Sequence, residues 1–320
     1  MTDVRAGGSR VRTVFLGSGH FGVEALRVLG EHPDVDLVGV VSAPSRPVGR
    51  DRRLAPTVIE EAARGSGVQH ILTPERLRNP EAIASVLDLR PELAVLADYG
   101  QLVPADLLGL RHGGLNLHPS LLPRHRGATP ISATILAGDA ETGVTLMRMD
   151  EGLDTGPILA QRRLALDGTE RAPALEEALE MIAAALLAES AGPWLRGEID
   201  ARPQAQDGAT LTRQLRREDG RLDPTRPAPE LERQVRAYQP WPGSFVDTIG
   251  GRLVVWAAAV GTAMGLAPGV LGPRGLATVD GELLLREVQP AGGRRMSWDA
   301  FARGRPGIIG SAALASDRDP

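Results

Sequence analysis

The feature that most constrains the fold is a series of short, unbroken apolar runs separated by segments with helical spacing. The strand-like runs lie at 11–16, 37–41, 93–97 and 114–117, and the helix-like segments at 22–29, 59–64 and 174–187. Apolar runs without polar alternation are typical of parallel strands that helices cover on both faces. The first part of the chain is therefore expected to form a mostly parallel sheet flanked by helices.

The pattern changes in the last third of the chain, where pairs of strand-like runs flank short turn signals. The runs 244–249 and 252–256 flank Gly250-Gly251, and 275–279 and 282–288 flank Asp280-Gly281. Such dipeptides between strand-like runs are typical of hairpins with primed turns. We therefore expect a small antiparallel β-barrel, OB-like in architecture, at the carboxyl-terminal end.

The length of the chain also indicates two domains, because 320 residues exceed what a single hydrophobic core usually serves. A polar, helix-poor segment that contains Pro203 and Gly208 lies between the two patterns and is interpreted as a linker. The sequence thus predicts an α/β, Rossmann-like domain over 1–200, a linker over 201–209 and the β-barrel over 210–316.

The composition argues against several classes of protein. The chain has no cysteine, which excludes disulfides, thiolate metal sites and a cysteine nucleophile. Its six histidines form no pair at metal-ligand spacing, so no metal is expected. No apolar run approaches the roughly 20 residues of a membrane span, and residues 1–10 lack the apolar core of a secretory signal. We therefore expect a cytoplasmic protein with no membrane partner.

The basic residues are all arginines, and the net charge of −4 does not by itself indicate a nucleic-acid partner. Four arginines, Arg46, Arg50, Arg52 and Arg53, fall in a loop interrupted by proline and glycine. The guanidinium group suits phosphate, so clustering matters more than total charge. Composition alone favours a solvated loop.

A formal GxGxxG, from Gly17 to Gly22, lies between the first predicted strand and helix, where a dinucleotide pyrophosphate can bind. That fingerprint needs an acidic residue at the end of the second strand, but the chain reads Val-Ser-Ala at 41–43. Arg46 could contact a 2′-phosphate, which leaves an NADP-dependent oxidoreductase as one alternative. Glycines that let the strand and helix pack closely are the simpler interpretation.

Asn116 and His118 stand two residues apart at the end of a predicted buried strand. This spacing places both side chains on one face, with Cα atoms roughly 6.7 Å apart. Polar side chains on a buried strand need partners or a function, and strand carboxyl ends are where α/β sheets bind ligands. We therefore predict a functional pair. From spacing alone, Asp154 is an ordinary turn or capping residue.

Several segments resemble the folate-dependent formyltransferases. They are NLHPSLLPRHRGATPI at 116–131, MDEGLDTGPIL at 149–159, RAYQPWPGSF at 236–245 and QPAGGRRM at 289–296. Asp154 follows His118 by 36 residues, as in that family. The similarity extends from Val11 to about Gly307 and is greatest to the branch that acts on initiator methionyl-tRNA.

The resemblance implies transfer of a formyl group from 10-formyltetrahydrofolate to the α-amino group of methionyl-tRNA(fMet), for translation initiation. It implies a monomer and no metal cofactor. It assigns catalysis to Asn116, His118 and Asp154; the folate pocket to Ser120, Leu121, Leu122, Pro123, Tyr99 and Gly100; and tRNA binding to Arg46, Arg50, Arg52 and Arg53.

A formyltransferase for an amino-sugar nucleotide stays open, because it would share the three catalytic residues but would not need the arginine loop or the second domain. The chain also departs from the family pattern at two positions. His125 stands where the family usually has Trp or Tyr, and Ser132 where Gln is frequent. The edges of the pocket are therefore expected to differ.

Overall fold

A computed structural model describes residues 10–48, 53–263 and 265–314. The strands are β1 (Val11–Gly17), β2 (Val35–Val41), β3 (Arg46–Val48), β4 (Arg53–Ala55), β5 (Ile71–Leu72), β6 (Leu93–Ala97), β7 (Gly114–His118), β8 (Arg126–Gly127), β9 (Glu141–Arg148), β10 (Ile158–Ala165), β11 (Leu211–Thr212), β12 (Ser244–Thr248), β13 (Gly251–Gly261), β14 (Gly275–Ala277), β15 (Glu282–Pro290) and β16 (Met296–Ser297). The helices are α1 (Val23–Glu31), α2 (Val58–Gly65), α3 (Pro80–Leu87), α4 (Ala105–Leu108), α5 (Pro130–Ala137), α6 (Ala172–Leu195), α7 (Ala228–Ala237) and α8 (Trp298–Arg303).

The chain divides into two compact units that interleave along the sequence. The first comprises residues up to Pro130, Glu141–Ala165 and Glu176–Thr212, and the second comprises Ile131–Ala140, Leu166–Leu175 and the chain from Arg213 onward. Within the segment 201–209, Arg202 bridges to Ile158, and Gln204 is buried. This segment is therefore packed into the first unit. The predicted domain limits, 1–200, 201–209 and 210–316, stay predictions.

The first unit contains a seven-stranded sheet in the order β10-β9-β7-β6-β1-β2-β5. The five neighbouring strands β7, β6, β1, β2 and β5 run parallel to one another. The strands β9 and β10 lie at one side of the sheet and pair antiparallel. The predicted α/β class with a mostly parallel sheet is confirmed. Strand order reverses between β1 and β6, so the carboxyl ends of these strands flank the position where such sheets bind ligands.

The central strands are covered on both faces, as their unbroken apolar runs predicted. Successive side chains of a strand point to opposite faces, and Val14, Phe15 and Leu16 of β1 are all fully buried. Every residue of β6 and β7 is buried as well. Each large apolar side chain buried in this way contributes roughly 1.5–3 kcal/mol to stability. The polar pair of β7 is therefore held in a rigid apolar sheet.

The longest helix, α6, extends the predicted segment 174–187 at both ends. It is long and apolar enough to cross a membrane, which holds for no other helix in the described part of the chain. A core helix of a water-soluble protein meets the same criteria, so α6 by itself is weak evidence for a membrane span.

The second unit contains a five-stranded antiparallel sheet in which β12, β13, β15 and β14 follow one another and β16 pairs with β15. Both predicted hairpins form, since β12 pairs with β13 and β14 pairs with β15. Gly251, the first residue of β13, and Gly281, just before β15, have φ of 94° and 91°, a backbone region that favours glycine. The prediction of a separate antiparallel domain is confirmed.

Backbone hydrogen bonds through two irregular segments, 269–271 and 311–314, connect the outer edges of β14 and β12. The bonds run from Ala277 N to Val270 O (2.9 Å), from Leu271 N to Ser311 O (2.9 Å) and from Leu314 N to Asp247 O (2.8 Å). The sheet therefore closes on itself, as a small β-barrel does. Buried residues of β13, β15 and α8 fill its interior, among them Leu253, Leu285 and Trp298.

Candidate active site

Asn116 and His118 lie on one face of β7 at its carboxyl end. They are only 7% and 4% exposed, and β7 is bordered by β6 on one side and β9 on the other. Because the strand is buried along its whole length, neither side chain can move far without disturbing the sheet. The sheet thus presents an amide and an imidazole in fixed relative positions.

Asp154 joins this pair from the loop between β9 and β10. Its Oδ1 accepts a hydrogen bond from Asn116 Nδ2 (3.1 Å), and its Oδ2 lies 3.6 Å from His118 Nδ1. The same Oδ2 accepts the backbone N–H of Gly127 (2.8 Å). The three residues predicted to be catalytic are thus brought together. The Asp154 side chain is 12% exposed, more than the 5% of the His118 side chain.

The contact made by the second ring nitrogen of His118 shows which nitrogen of the neutral imidazole carries the proton. His118 Nε2 lies 2.9 Å from the backbone oxygen of His125. A carbonyl oxygen only accepts, so Nε2 carries a proton and donates it. In the neutral ring Nδ1 is then the proton acceptor, and it faces Asp154. A proton taken up at Nδ1 produces an imidazolium beside a carboxylate.

Two backbone groups of the site were not found from the sequence. They are the carbonyl of His125, which orients His118, and the N–H of Gly127, which binds Asp154. His125 is held in turn, since its own N–H donates to Thr210 Oγ1 (2.8 Å). Backbone contacts leave no residue-type signature, so no motif could have revealed them. The departure at His125 does not affect this contact, which uses only the main chain.

The turn that follows β7 is held by hydrogen bonds within the turn and by hydrogen bonds to β9. The Ser120 hydroxyl donates to a backbone carbonyl four residues on (2.7 Å), and Leu122 N donates to Thr145 Oγ1 (3.1 Å). Ser120 and Leu122 are buried, whereas Leu121 and Pro123 are partly exposed. Of the turn residues predicted for the folate pocket, only Leu121 and Pro123 therefore present side-chain surface.

Tyr99 and Gly100 follow β6, the strand beside β7. The Tyr99 hydroxyl is buried with no hydrogen-bond partner, and burial raises the pKa of this phenol to about 12. It is therefore a neutral donor at physiological pH, and a buried donor without a partner is costly. A Cβ on Gly100 would meet no atom within 4 Å, so its surroundings are open. A polar ligand group that reached this hydroxyl would be stabilised.

The described part of the arginine loop is a two-stranded antiparallel ribbon formed by β3 and β4. Arg46 pairs with Ala55, and Arg53 pairs with residue 48, two positions beyond Arg46. Opposite and alternate positions of such a ribbon share a face, so Arg46 and Arg53 lie on the same face. Both are exposed. Arg50 and Arg52 lie outside the described residues.

The ends of this loop are attached to the sheet by three hydroxyl groups. Ser42 Oγ lies 2.6 Å from Thr57 Oγ1, and Thr57 also accepts the N–H of Glu60 at the start of α2. The N–H of the residue after Ser42, Ala43, donates to the hydroxyl of Ser18 (3.0 Å), which follows β1. The loop therefore begins and ends beside the carboxyl ends of β1 and β2.

The glycines of the GxGxxG segment are used for close packing. A Cβ on Gly22 would lie 3.0 Å from the carbonyl oxygen of Ala97, and one on Gly19 would lie 1.5 Å from Asp98 Oδ2. The Asp98 carboxyl group therefore fills the space against the turn where a pyrophosphate would need N–H donors. This geometry favours the packing interpretation over a dinucleotide site.

The amide–imidazole–carboxylate cluster at a strand end offers a hydrogen-bond donor, a proton acceptor and a negative charge, which are groups that a group-transfer enzyme uses. Residues 11–190 match the family model described as formyl transferase, and residues 214–306 match the formyl transferase C-terminal domain. The chain belongs to the formyl transferase family. Within its described residues, no group of three or more histidines and acidic residues is arranged to hold a metal ion.

Relatives of known name extend this assignment. A methionyl-tRNA formyltransferase of Chloroflexus aggregans is 43% identical over 302 residues, covering 92% of this chain and 97% of the relative. Two solved structures share the fold, each at a TM-score of 0.62. HypX from Aquifex aeolicus, in complex with tetrahydrofolic acid, is 18% identical, and the match covers 94% of this chain and 48% of HypX. An N-formyltransferase from Helicobacter canadensis, in complex with folinic acid and dTDP-3-aminofucose, is 16% identical, and the match covers 89% of this chain and 100% of that protein. This chain thus spans about half the length of HypX.

Proposed function

We propose that this protein transfers a formyl group from 10-formyltetrahydrofolate to the α-amino group of methionine esterified to initiator tRNA. The observation that carries the proposal is the convergence of Asn116, His118 and Asp154 in a chain 43% identical to a methionyl-tRNA formyltransferase. In this reaction the amine nitrogen forms a bond to the formyl carbon, and the bond from that carbon to the folate nitrogen breaks. One proton leaves the amine and one is delivered to the departing nitrogen.

Asn116 stabilises the oxygen of the tetrahedral intermediate. An amide nitrogen carries two N–H donors, and Asp154 accepts one of those of Asn116. The other is left for an oxygen that gains negative charge during attack. A donor held rigidly at such an oxygen lowers the barrier by about 3 kcal/mol. The buried position of Asn116 on β7 provides that rigidity.

His118 and Asp154 manage the protons. With Nε2–H donated to His125, the free Nδ1 of His118 takes the proton of the attacking amine and later returns it to the leaving nitrogen. The Asp154 carboxylate, 3.6 Å from Nδ1, stabilises the imidazolium between these steps. A positioned acid–base group of this kind contributes about 10²- to 10⁴-fold in rate.

The residues around the two strand ends fit the folate. 10-Formyltetrahydrofolate supplies the formyl group on a weakly basic nitrogen. Leu121 and Pro123 would hold its flat ring through their exposed apolar surface, on a turn that is fixed by one hydrogen bond within it and one to Thr145 of β9. The ligand would fill the open space around Gly100, which follows in the chain directly after Tyr99, whose buried hydroxyl has no hydrogen-bond partner.

The tRNA is held by arginines in each unit. In the first unit Arg46 and Arg53 share an exposed face of the ribbon formed by β3 and β4. The sequence has two further arginines, Arg50 and Arg52, between these strands. In the second unit the Arg295 guanidinium lies 3.5 Å from the centre of the Trp256 ring, in the segment that resembles the family. Arginine suits phosphate, so local clusters let a chain of net charge −4 bind RNA.

Initiation of translation places this activity in the cytoplasm. The three catalytic residues come from one chain and contact one another directly. A monomer therefore has a complete cluster.

Replacing Arg53 or Arg50 with alanine is expected to weaken tRNA binding and to reduce the slope of log K against log salt by about one for each lost phosphate contact. The measurement is a binding titration at several salt concentrations. Arg27→Ala is the matched control, because Arg27 already pairs with Glu24 and Glu31. An affinity and slope equal to those of the native protein would remove the ribbon from the tRNA interface.

The proposed reaction is tested by offering the purified protein 10-formyltetrahydrofolate with either methionyl-tRNA(fMet) or a panel of amino-sugar nucleotides. We expect formyl-methionyl-tRNA and no formylated sugar. Formylation of a sugar without formylation of the tRNA would favour the amino-sugar alternative, and hydride transfer to or from NADP would favour the oxidoreductase.

A further inference from the structure

The backbone of Asp154 adopts a conformation that a residue with a side chain rarely takes. Its φ is 52°, in the left-handed region, which L-residues other than glycine visit at an energetic cost. This conformation aims the carboxylate at Asn116, His118 and Gly127. Contacts from outside the loop are needed to keep the backbone in this state.

Gln204 makes those contacts. Its Nε2 donates to the carbonyl oxygens of Asp154 (2.8 Å) and Gly156 (2.7 Å). Its Oε1 accepts two hydrogen bonds from the guanidinium of Arg126, from Nε (3.1 Å) and Nη2 (2.8 Å). All four hydrogen-bonding positions of the amide are therefore used. Gln204 and Arg126 are 8% and 6% exposed, so water does not readily replace these contacts.

Arg126 connects Gln204 to the other side of the Asp154 carboxylate. Arg126 precedes Gly127, whose N–H binds Asp154 Oδ2, and both belong to β8. This strand is itself paired with β11, at Leu211 and Thr212. The Gln204 amide thus connects the Asp154 backbone to β8, the strand whose Gly127 N–H donates to the Asp154 carboxylate.

We propose that Gln204 is a positioning residue for formyl transfer, acting through Asp154 and touching neither substrate. The proposal rests on the proposed function for its kinetic readout. Both the amide nitrogen and the amide oxygen of Gln204 are needed, because the nitrogen holds the loop and the oxygen holds Arg126. A glutamate at this position keeps the contact to Arg126 but places an oxygen against two carbonyl oxygens.

The substitutions Gln204→Met and Gln204→Glu test this inference by steady-state kinetics. We expect both to lower kcat by about 10- to 100-fold, since a misplacement of about 1 Å in a catalytic group has effects of this size. KM for tRNA and for 10-formyltetrahydrofolate should change by less than about threefold. When Gln204→Met is added to Asp154→Asn, kcat should fall by less than about threefold relative to Asp154→Asn alone, because the residue that Gln204 positions is already impaired.

Gln234→Met is the matched control. Gln234 is also a buried glutamine whose amide nitrogen donates to two backbone carbonyls, of Asp219 and Arg221, and whose oxygen accepts from Arg226. It lies in the second compact unit. Its replacement should lower the melting temperature but leave kcat within about twofold of the native value. If Gln204 had only a structural role, Gln204→Met would likewise lower the melting temperature and leave kcat within about twofold of the native value.

The proposal would be overturned by a native kcat in either folded Gln204 variant. It would also be overturned if Gln204→Met lowered kcat by the same factor with Asp154 and with Asn at position 154. Should Gln204→Met fail to fold, Gln204→Glu decides, because it retains the bonds to Arg126. A crystal structure of the variant gives a readout that does not depend on activity. We expect loss of the 3.1 Å contact between Asn116 and Asp154. Its retention would refute positioning even if the protein proved to act on another substrate.

Discussion

Replacing Asn116 with alanine is expected to lower kcat for formyl transfer by about 10²- to 10³-fold, the usual cost of removing one donor to an oxyanion. In the proposed mechanism, the Asn116 N–H that is not used by Asp154 binds the formyl oxygen most tightly when that oxygen gains charge. An interaction made mainly in the transition state affects kcat and kcat/KM alike. KM for both substrates should therefore change by less than about threefold. The measurement is initial-rate kinetics of formyl-methionyl-tRNA formation.

Asn79 provides the control, because it is the only other asparagine in the sequence. It precedes α3, is exposed and makes no side-chain capping bond, so Asn79→Ala should leave the kinetics unchanged. A rise in KM with native kcat for Asn116→Ala would mean that Asn116 binds the ground state as tightly as the transition state. The oxyanion role would then be wrong.

The parallel strands could be predicted from the sequence because they are buried on both faces. The predicted run 93–97 coincides with β6, and β1, β2 and β7 extend their predicted runs by one or two residues. The antiparallel strand β9 was not predicted, although its six central residues are buried. Two threonines interrupt its apolar run, and one of them, Thr145, is buried because its hydroxyl bonds to Ser120 O and Leu122 N. That compensation comes from a turn 25 residues away and has no local signal.

The residues of the site differ in whether the sequence alone reveals them. Asn116 and His118 could be found from their spacing, since two polar residues on one face of a buried strand contradict its apolar pattern. Asp154 was found only through the resemblance, because an acidic residue in a turn is ordinary. Gln204 was not found at all. It lies in a polar segment that was interpreted as a linker, and its burial depends on Arg126, 78 residues earlier.

Replacing Asp154 with asparagine is expected to lower kcat by about 10²- to 10⁴-fold while the fold persists. Asparagine has the same shape and can still accept from Gly127 or Asn116, but it removes the negative charge 3.6 Å from His118 Nδ1. The imidazolium that forms during proton transfer then has no counter-charge. The measurement is single-turnover formylation of methionyl-tRNA, with circular dichroism to verify folding.

Asp223→Asn is the control, because the Asp223 carboxylate also accepts hydrogen bonds, from Thr225, but belongs to the second compact unit. We expect it to have native kinetics. The decisive comparison is the double variant His118→Ala/Asp154→Asn. Since the imidazole and carboxylate act on the same proton, the double variant should be no slower than the slower single variant, as for residues that work as a unit. Losses that multiply would show that Asp154 acts independently of His118, for example by binding the amine itself, and would contradict the proton path through Nδ1.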